Sequence, residues 1–412
     1  MHRETFVEVD LDALSKNASN IVKKYNNYKY YIGMVKANAY GHGMYIVNEL
    51  IKSGINYFAV SSLDEALEIR KFNKEIPVLC VEPINVNSVP LAIKNNITLT
   101  IANYSYFSEF IKRVNGPVKV HIKVDSGMHR LGVCEKYEFN RLYNTIKDIP
   151  DIFLEGVFTH FATPGVNDRY FDLQLKTFKE ITEDVDLKKI PIIHLSSSFI
   201  VLAHPKIDIA NGIRIGTILY GYDIAPHKLS NSPINLLKKM RNSYLRKKYN
   251  ISKTYDDVKI DLTPALKIKS NILQLKHIDP GDKVGYGYKY TAKESVRLAT
   301  VPIGFDDGLG IHTKYVVIKG KRFRIIGEIS MCMISVLLDS TIGLKDQVTI
   351  LGDGITLGMI ARQNHTSFHD VLVNLGKNLP RVYIKDGKRV AMVKYNKSEV
   401  SKWVLKVWWL KK

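Results

Sequence analysis

The stretch Tyr57–Val81, YFAVSSLDEALEIRKFNKEIPVLCV, sets the pattern that decides the fold. It begins with the short apolar run Tyr57–Ser61 and ends with another, Pro77–Val81. Between them, Ser62–Lys71 places apolar residues at helical spacing among charged ones. A strand, a helix and a second strand joined by short connections predict a βαβ unit with parallel strands.

The same alternation recurs through the first 220 residues. A further amphipathic stretch, Arg169–Val185, is typical of a crossover helix. Eight β-rich runs are predicted: Tyr30–Val35, Tyr57–Ser61, Pro77–Val81, Ile97–Ile101, Val118–Val124, Phe153–Thr159, Pro191–Leu195 and Ile213–Ile218. Eight strand–helix repeats predict an α/β fold, a parallel (β/α)8 barrel.

The pattern changes after Gly221, where residues 223–262 are polar, basic and weakly periodic. Six β-rich runs then follow: Ile268–Leu275, Val296–Pro302, Tyr315–Ile318, Arg322–Ile329, Ile334–Leu338 and Gln347–Leu351. We therefore expect a barrel domain over 1–222, an insertion or linker over 223–262 and a mostly β domain over 263–412. The first ten or so residues are candidates for packing with the C-terminal domain.

The composition is that of a globular protein, with 45% hydrophobic and 24% charged residues in 412. No apolar run approaches the ~18 residues that a membrane span needs. Acidic residues stand where a signal peptide would be apolar, so we expect a cytoplasmic protein. Cys80, Cys134 and Cys332 lie far apart in sequence, and we interpret them as ordinary buried thiols.

The net charge of +20 raises the question of nucleic-acid binding. Much of the surplus is diffuse, however, and the densest block, between Lys238 and Lys248, lies in the polar segment. We interpret it as solvated surface and expect no specific nucleic-acid partner. The apolar tail Trp403–Trp409 is interpreted as an ordinary terminal strand, because it is too short to cross a membrane.

The segment after the first predicted strand is Val35–Gly43, VKANAYGHG. A lysine at the buried end of a core strand is costly unless its charge is used, and barrel active sites lie at this end of the strands. The segment resembles the cofactor-lysine motif of the alanine racemase family, enzymes that use pyridoxal phosphate on a barrel followed by a β domain. The resemblance implies that Lys36 binds this cofactor covalently and acts as one catalytic acid/base, and that Tyr40 holds the phosphate.

Two more strand ends resemble the same family. Lys123–Gly132, KVDSGMHRLG, is similar to its KxDTGMxRLG motif, and Thr159–Ala162 matches its THFA. By resemblance, Arg130 lies near the cofactor and the substrate carboxylate, which suits a planar guanidinium. His160 would hydrogen-bond the second catalytic base. Lys123 matches a position that is often carbamylated in the family, and its carbamylation stays an open question.

The last two barrel strands supply the remaining cofactor-binding candidates. HLSSS, starting at His194, resembles the family's HxxNS, so Ser198 would bind the phosphate. The stretch Asn211–Gly221 resembles the family's VRxGxxxYG. The resemblance implies that Arg214 points at the pyridine nitrogen, where a cation disfavours protonation of the ring and favours simple return of a proton over side reactions. The backbone N–H groups of Gly216 and Thr217 can also bind the phosphate. We count His194 among the cofactor-binding residues.

The β-rich domain carries Tyr286 in VGYG, similar to the family's VSYG. The resemblance makes Tyr286 the second base, contributed by the partner subunit of a homodimer, and directs the backbone N–H of Met331 at the substrate carboxylate. Besides Ser197, which replaces the asparagine of HxxNS, three positions depart from the family pattern, and by resemblance they lie in or near the substrate pocket: Phe305, Cys332 and Lys377 or Asn378.

Together these observations predict a racemase that uses pyridoxal phosphate, needs no metal and interconverts L- and D-alanine, for cell-wall D-alanine, by a Lys36/Tyr286 two-base mechanism. Serine or a broader range of amino acids is the alternative substrate, because of the three departures. A barrel-type decarboxylase, which would place a carboxylate where Arg214 stands, and a non-catalytic cofactor-binding protein are weaker alternatives.

Overall fold

The computed structural model describes residues 3–162, 169–223 and 260–394, together with seven single positions between 233 and 244. The chain divides into two compact units. The barrel unit comprises Ala13–Ala37 and Met44–Pro264, and the β unit combines the first twelve residues, Asn38–Gly43 and the chain from Ala265 onward. Most of the 223–262 segment and the whole of Trp403–Trp409 lie outside the described residues.

The barrel unit contains eight parallel strands. With strands numbered in chain order, β1 (Phe6–Asp10) belongs to the β unit and the barrel strands are β2 (Tyr30–Met34), β3 (Tyr57–Val60), β4 (Val78–Cys80), β5 (Leu99–Ile101), β6 (Val118–Lys123), β7 (Ile152–Phe158), β8 (Ile192–Ser197) and β9 (Gly212–Ile215). They pair in the order β4-β3-β2-β9-β8-β7-β6-β5. A parallel bridge between Leu79 and Thr98 closes the ring between β4 and β5.

All eight predicted barrel strands are present, which confirms the fold class. The last prediction runs too far, because the chain leaves the extended conformation at Gly216 (φ −115°, ψ −100°) and forms a 3-10 turn over Thr217–Tyr220. Four consecutive residues of β3 and of β9 are buried, because the barrel interior covers one strand face and helices cover the other.

The barrel helices are amphipathic. Lys136–Lys147, for example, buries Phe139, Leu142 and Ile146, which lie three and four residues apart and so share one helix face. Besides the short turn Lys36–Tyr40, the described helices before and between the barrel strands are Leu11–Lys24, Val47–Lys52, Leu63–Phe72, Val89–Lys94, Tyr104–Ile111, Lys136–Lys147, Arg169–Thr182 and Ser198–Ala203. Ser62 caps its helix by accepting a hydrogen bond from the Glu65 N–H.

The β unit is built on a ten-stranded sheet. Its further strands are β10 (Leu266–Asn271), β11 (Gln274–Ile278), β14 (Val296–Val301), β15 (Tyr315–Ile318), β16 (Lys321–Ile326), β17 (Ile334–Leu338), β18 (Gln347–Leu351), β19 (Arg381–Lys385) and β20 (Lys388–Val393), while β12 (Lys283–Val284) and β13 (Tyr290–Thr291) form a separate ribbon. The amino-terminal strand β1 lies between β10 and β19. Two short helices, Leu357–Gln363 and Phe368–Asn374, complete the described part of the unit.

Two details of the predictions are wrong. The run Ile268–Leu275 is not one strand, because the chain breaks pairing after Asn271 and resumes as β11 at Gln274. The three cysteines are free, as expected, but only Cys80 is buried, whereas Cys134 and Cys332 are exposed. Both exposed thiols lie in loops, where a cysteine need not serve as a core residue.

Arg381 is a fully buried cation in the β unit, with 1% of its surface exposed. Its guanidinium donates to the carbonyl oxygens of Gly41 (3.2 Å), Lys377 (3.1 Å) and Leu379 (2.7 Å). It thereby joins segment 38–43 to the start of β19.

We predict that Arg381→Met lowers the free energy of unfolding by about 3 kcal/mol or more, because buried carbonyls lose their donor. Arg324→Met, which alters an exposed arginine on β16, is the control and should change stability by less than about 0.5 kcal/mol. Urea denaturation followed by circular dichroism measures both. Equal stability of the two variants would contradict this account of Arg381.

Candidate active site

One rim of the barrel collects the candidate residues, because all eight strands point the same way. Lys36 follows β2, Arg130 lies in the loop after β6, and His160 follows β7. Ser198 follows β8 and Gly216 follows β9. Lys36 is partly exposed rather than fully buried, so its ammonium group retains access to water or to a ligand.

Four cations lie near enough to His160 to lower its pKa. Burial first, and then the charges of Arg214, Arg130, Lys123 and Lys36, lower the pKa of His160 from 6.5 to about 3. Because four positive charges act on one imidazole, this part of the rim is strongly electropositive. Such a site fits a ligand that carries more than one negative charge.

Arg214 lies inside this rim with 5% of its surface exposed. Its guanidinium donates to the Thr159 carbonyl (2.7 Å) and to the His194 carbonyl, and it lies 3.4 Å from Nδ1 of His160. Burial lowers the pKa of Arg214 to about 9, which still leaves it charged at neutral pH.

Lys123 ends β6 and is 4% exposed. Its ammonium group donates to the Leu131 carbonyl at 2.7 Å. Burial, followed by the charge of Arg214, lowers the pKa of Lys123 from 10.5 to about 8. A fraction of this amine is therefore neutral near neutral pH.

Asp125 organises the loop that carries Arg130. Its carboxylate accepts N–H bonds from Gly127 (3.0 Å), His129 (2.9 Å), Arg130 (2.7 Å) and Leu131 (3.1 Å). Although burial opposes it, these four bonds lower the pKa of Asp125 below 3.8.

Gly132 lets this loop return to its strand. A Cβ there would lie 2.7 Å from the Asp125 nitrogen and 2.9 Å from the Lys123 oxygen, and its φ is +126°. Sequence reasoning missed Asp125, although an Asp two residues before a Gly at a strand end is a turn signal.

The backbone after β8 and β9 brings the phosphate-binding candidates together. The Gly216 N–H donates to Oγ of Ser198 at 2.7 Å. Gly216, Ser198 and Thr217 therefore lie in one small region, where Ser198 and Thr217 are also buried. Hydroxyls and backbone N–H groups are donors that bind phosphate, and small residues let it approach the backbone.

Lys36–Tyr40 is a left-handed helical turn. Residues 37–40 have φ between +50° and +53°, which is the left-handed conformation. For residues other than glycine this costs roughly 1–2 kcal/mol each. Such strain is found mainly at functional sites.

Contacts within the β unit hold the part of this turn that belongs to it. The Gly43 N–H donates to the Asn38 carbonyl at 2.9 Å. Nδ1 of His42 lies 3.0 Å from the Tyr40 carbonyl, and the Tyr383 hydroxyl donates to the His42 carbonyl at 3.0 Å. Burial raises the pKa of Tyr40 to about 12, so its hydroxyl keeps its proton.

The candidates of the β unit lie on converging loops. The N–H of Phe305 donates to the Ser330 carbonyl (3.1 Å), and the N–H of Asp306 donates to the Met331 carbonyl (3.0 Å). A Cβ on Gly285 would lie 3.5 Å from the nitrogen of Glu328. The loops that carry Tyr286, Phe305 and Met331 therefore meet.

These side chains face away from the core of their own unit. Tyr286 is 72% exposed, Met331 is 60% exposed and Phe305 is 48% exposed. Lys377 is exposed, whereas the side-chain amide of Asn378 donates to the Asp306 carbonyl at 2.7 Å. Asn378 is thus the residue of this pair that is attached to the loop cluster.

Comparison with protein families decides the assignment. The sequence model described as "Alanine racemase, N-terminal domain" matches residues 9–224, and "Alanine racemase, C-terminal domain" matches 265–383. The chain belongs to the alanine racemase family.

Individual members of the alanine racemase family are similar along nearly their whole length. The alanine racemase of Streptococcus equi subsp. equi (strain 4047) is 33% identical over 397 residues, covering 93% of this chain and 99% of the relative. An alanine racemase structure from Clostridium difficile 630 has a TM-score of 0.83 at 30% identity, covering 96% and 99% of the two chains. That of Bacillus anthracis with bound L-Ala-P has a TM-score of 0.80 at 29% identity, covering 96% and 98%.

Membership of the alanine racemase family confirms the family, the fold class and the enzyme class that the sequence predicted. Residues 225–264 fall between the two matched domains. Within the described ranges, no helix is both long and apolar enough to cross a membrane.

Sequence reasoning also missed a buried polar line behind Arg214. Nδ1 of His194 lies 3.1 Å from the guanidinium, and its Nε2 lies 2.8 Å from Nδ1 of His121. Nε2 of His121 lies 3.2 Å from the Glu155 carboxylate. A polar residue inside an apolar strand, as in VKVHIKV and FLEGVF, was the available signal.

Four histidines with lowered pKa values predict acid sensitivity. Burial lowers the pKa of His121 below 6.5, that of His194 well below it, and those of His42 and His160 to about 3. Below pH 6.5 the unfolded chain therefore binds protons that the folded chain does not, so the free energy of unfolding decreases as the pH is lowered. Each histidine contributes up to about 1.4 kcal/mol per pH unit between about pH 6 and about pH 5, so we expect a decrease of up to about 5 kcal/mol per pH unit for the four together.

Urea denaturation across this range measures the slope. His312→Gln removes an exposed histidine and should leave the slope unchanged, whereas His194→Gln should reduce it by about 1.4 kcal/mol per pH unit. A stability that does not change between these pH values would contradict the neutral state of these histidines.

Proposed function

We propose that this protein racemises a small amino acid, with alanine as the first candidate, using pyridoxal phosphate. The observation that carries the proposal is the group of four cations around His160, one of which is the strand-end lysine Lys36. The alanine racemase names of the relatives support alanine.

The residues present fit pyridoxal phosphate, which carries a phosphate and a phenolic oxygen. The electropositive rim suits its anionic groups, and the Ser198–Gly216 region has the donor chemistry for the phosphate. Lys36 would bind the cofactor covalently, with Tyr40 and Thr217 as further phosphate-binding residues. Arg214, a donor that keeps its protons, would face the ring nitrogen and disfavour its protonation, with His194 behind it.

When bound, the cofactor withdraws electrons from the α-carbon of the amino acid and makes its proton acidic. Racemisation then needs one proton carrier on each face of that carbon. Lys36 would remove or return the proton on the face of the D-enantiomer, and Tyr286 on the face of the L-enantiomer. His160 and Arg130 would stabilise the Tyr286 phenolate.

Arg130 and the N–H of Met331 would hold the substrate carboxylate. The Asp125-ordered loop gives Arg130 a fixed backbone. A neutral amine is the form that reacts with carbon dioxide, so the lowered pKa of Lys123 suits the carbamylation that the family resemblance implies. A carbamate there would supply a negative charge that orients Arg130.

The exposure of Tyr286 supports a homodimer with shared sites. A catalytic tyrosine left uncovered by its own unit is suited to serve the barrel of a second copy. The cytoplasm, where alanine would be supplied and cell-wall precursors made, is the compartment we propose.

Serine is the second candidate substrate. Asn378 is attached to the loop that carries Phe305, and Phe305 lacks the hydroxyl found in the family pattern. An amide in place of a tyrosine makes this loop cluster more polar, which favours a hydroxylated substrate. Incubation with a panel of L-amino acids, read by chiral chromatography, ranks alanine against serine.

We predict that borohydride reduction fixes the cofactor on the peptide that contains Lys36, as detected by mass spectrometry. Lys36→Ala should abolish both the adduct and racemisation in both directions. Lys52→Ala, on a barrel helix, is the control and should retain both. An adduct on another lysine would refute the assignment of Lys36.

Mixed dimers test the shared site. Lys36→Ala and Tyr286→Phe subunits are each expected to be inactive, but exchange between them creates dimers in which one of two sites is intact. We expect recovery of about a quarter of native activity at full exchange. Absence of recovery, with subunit exchange demonstrated by mass, would mean that each site is built from one chain.

A further inference from the structure

Four buried groups form a continuous line inside the barrel: Arg214, His194, His121 and Glu155. Both histidines are fully buried, and Arg214 and Glu155 are 5% and 6% exposed. Successive contacts measure 3.1, 2.8 and 3.2 Å. None of His121, Glu155 or their neighbours has a part in the proton transfers proposed above.

The two ends of the line fix its direction. A guanidinium only donates, so Nδ1 of His194 must accept. The proton of neutral His194 is then on Nε2 and is donated to Nδ1 of His121. Neutral His121 in turn carries its proton on Nε2 and donates to the carboxylate of Glu155. Only one pair of tautomers satisfies every contact.

Glu155 is held as a charged acceptor at the far end. Oε1 pairs with the ammonium group of Lys119 at 2.8 Å, and Oε2 accepts the Tyr57 hydroxyl at 2.6 Å. Despite its burial, hydrogen bonds from His121, Lys119 and Tyr57 lower the pKa of Glu155 to about 2. Lys119 is 45% exposed, so the line extends from the rim to solvent near the start of β6.

The absence of a side chain at Gly156 leaves space for the His121 ring. A Cβ on Gly156 would lie 2.5–2.9 Å from the ring atoms of His121. Any larger residue at 156 would displace the imidazole. His121 therefore occupies a fitted position, between Glu155 and His194, that packing alone would not require of a polar side chain.

We propose that Glu155 and His121 are positioning residues, which act through His194 to hold the Arg214 guanidinium in its orientation toward the cofactor. The inference rests on the proposed function, because the cofactor gives that orientation its use. A carboxylate fixes both tautomers, and without it either histidine can reverse. A reversed His194 would present an N–H to Arg214, which has no lone pair to accept it.

The main variant is Glu155→Gln, which keeps shape and hydrogen bonding but removes the fixed acceptor, since an amide both donates and accepts. Gly156→Ala displaces His121 without altering a polar group. Glu68→Gln, a half-exposed carboxylate on a barrel helix, is the matched control. Melting temperatures identify any variant that does not fold.

Three measurements separate positioning from stability. ¹⁵N-histidine NMR reads the tautomers and needs neither cofactor nor substrate. Fluorescence quenching gives the affinity for pyridoxal phosphate, and steady-state kinetics separate kcat from KM. For Glu155→Gln and Gly156→Ala we expect loss of the uniform Nε2–H pattern and a fall in kcat of about tenfold, with KM nearly unchanged.

Two results would overturn the proposal. One is a native protein in which either buried histidine carries its proton on Nδ1. The other is a folded Glu155→Gln variant, with altered tautomers, whose kcat and cofactor affinity match those of Glu68→Gln. A native protein that binds no cofactor but shows both Nε2–H signals would refute the proposed function and leave the geometry of the line intact.

Discussion

The cost of burying the Arg214 guanidinium is the constraint on which much of the barrel interior depends. A charge at this depth needs partners on every side, and the structure supplies a carbonyl just after β7, a carbonyl within β8 and an imidazole. The His194 imidazole needs a partner in turn, which is His121, and His121 donates to Glu155. This group of buried polar residues thus occupies the four neighbouring strands β6 to β9.

The sequence predicted the barrel because its strands are local features. Runs such as Tyr57–Ser61 and Pro77–Val81 are apolar by their own composition, and the helices between such runs have clear amphipathic spacing. Boundaries failed where backbone geometry intervened. The turn at Gly216 ended β9 early, and the break after Asn271 divided one predicted run into β10 and β11.

Only those residues of the candidate site that lie within recognisable sequence motifs could be predicted. Lys36, Arg130 and His160 lie in segments that resemble family motifs, and the rim follows from parallel strands. Asp125, His121 and Glu155 act through residues distant in sequence or through backbone groups, so no single segment reveals them. Which side chain meets which carbonyl depends on register, as in the pairing of His121 with Gly156 across β6 and β7.

The left-handed turn after Lys36 has a consequence for dividing the molecule. Asn38–Gly43 packs with β19 through Arg381 and Tyr383, although the chain on both sides belongs to the barrel unit. A protein fragment that contains only the barrel would therefore carry this hexapeptide without Arg381 and Tyr383, whose hydrogen bonds hold it. Lys36 would then precede a segment that is free to leave the left-handed conformation, so we do not expect the isolated barrel to keep this turn.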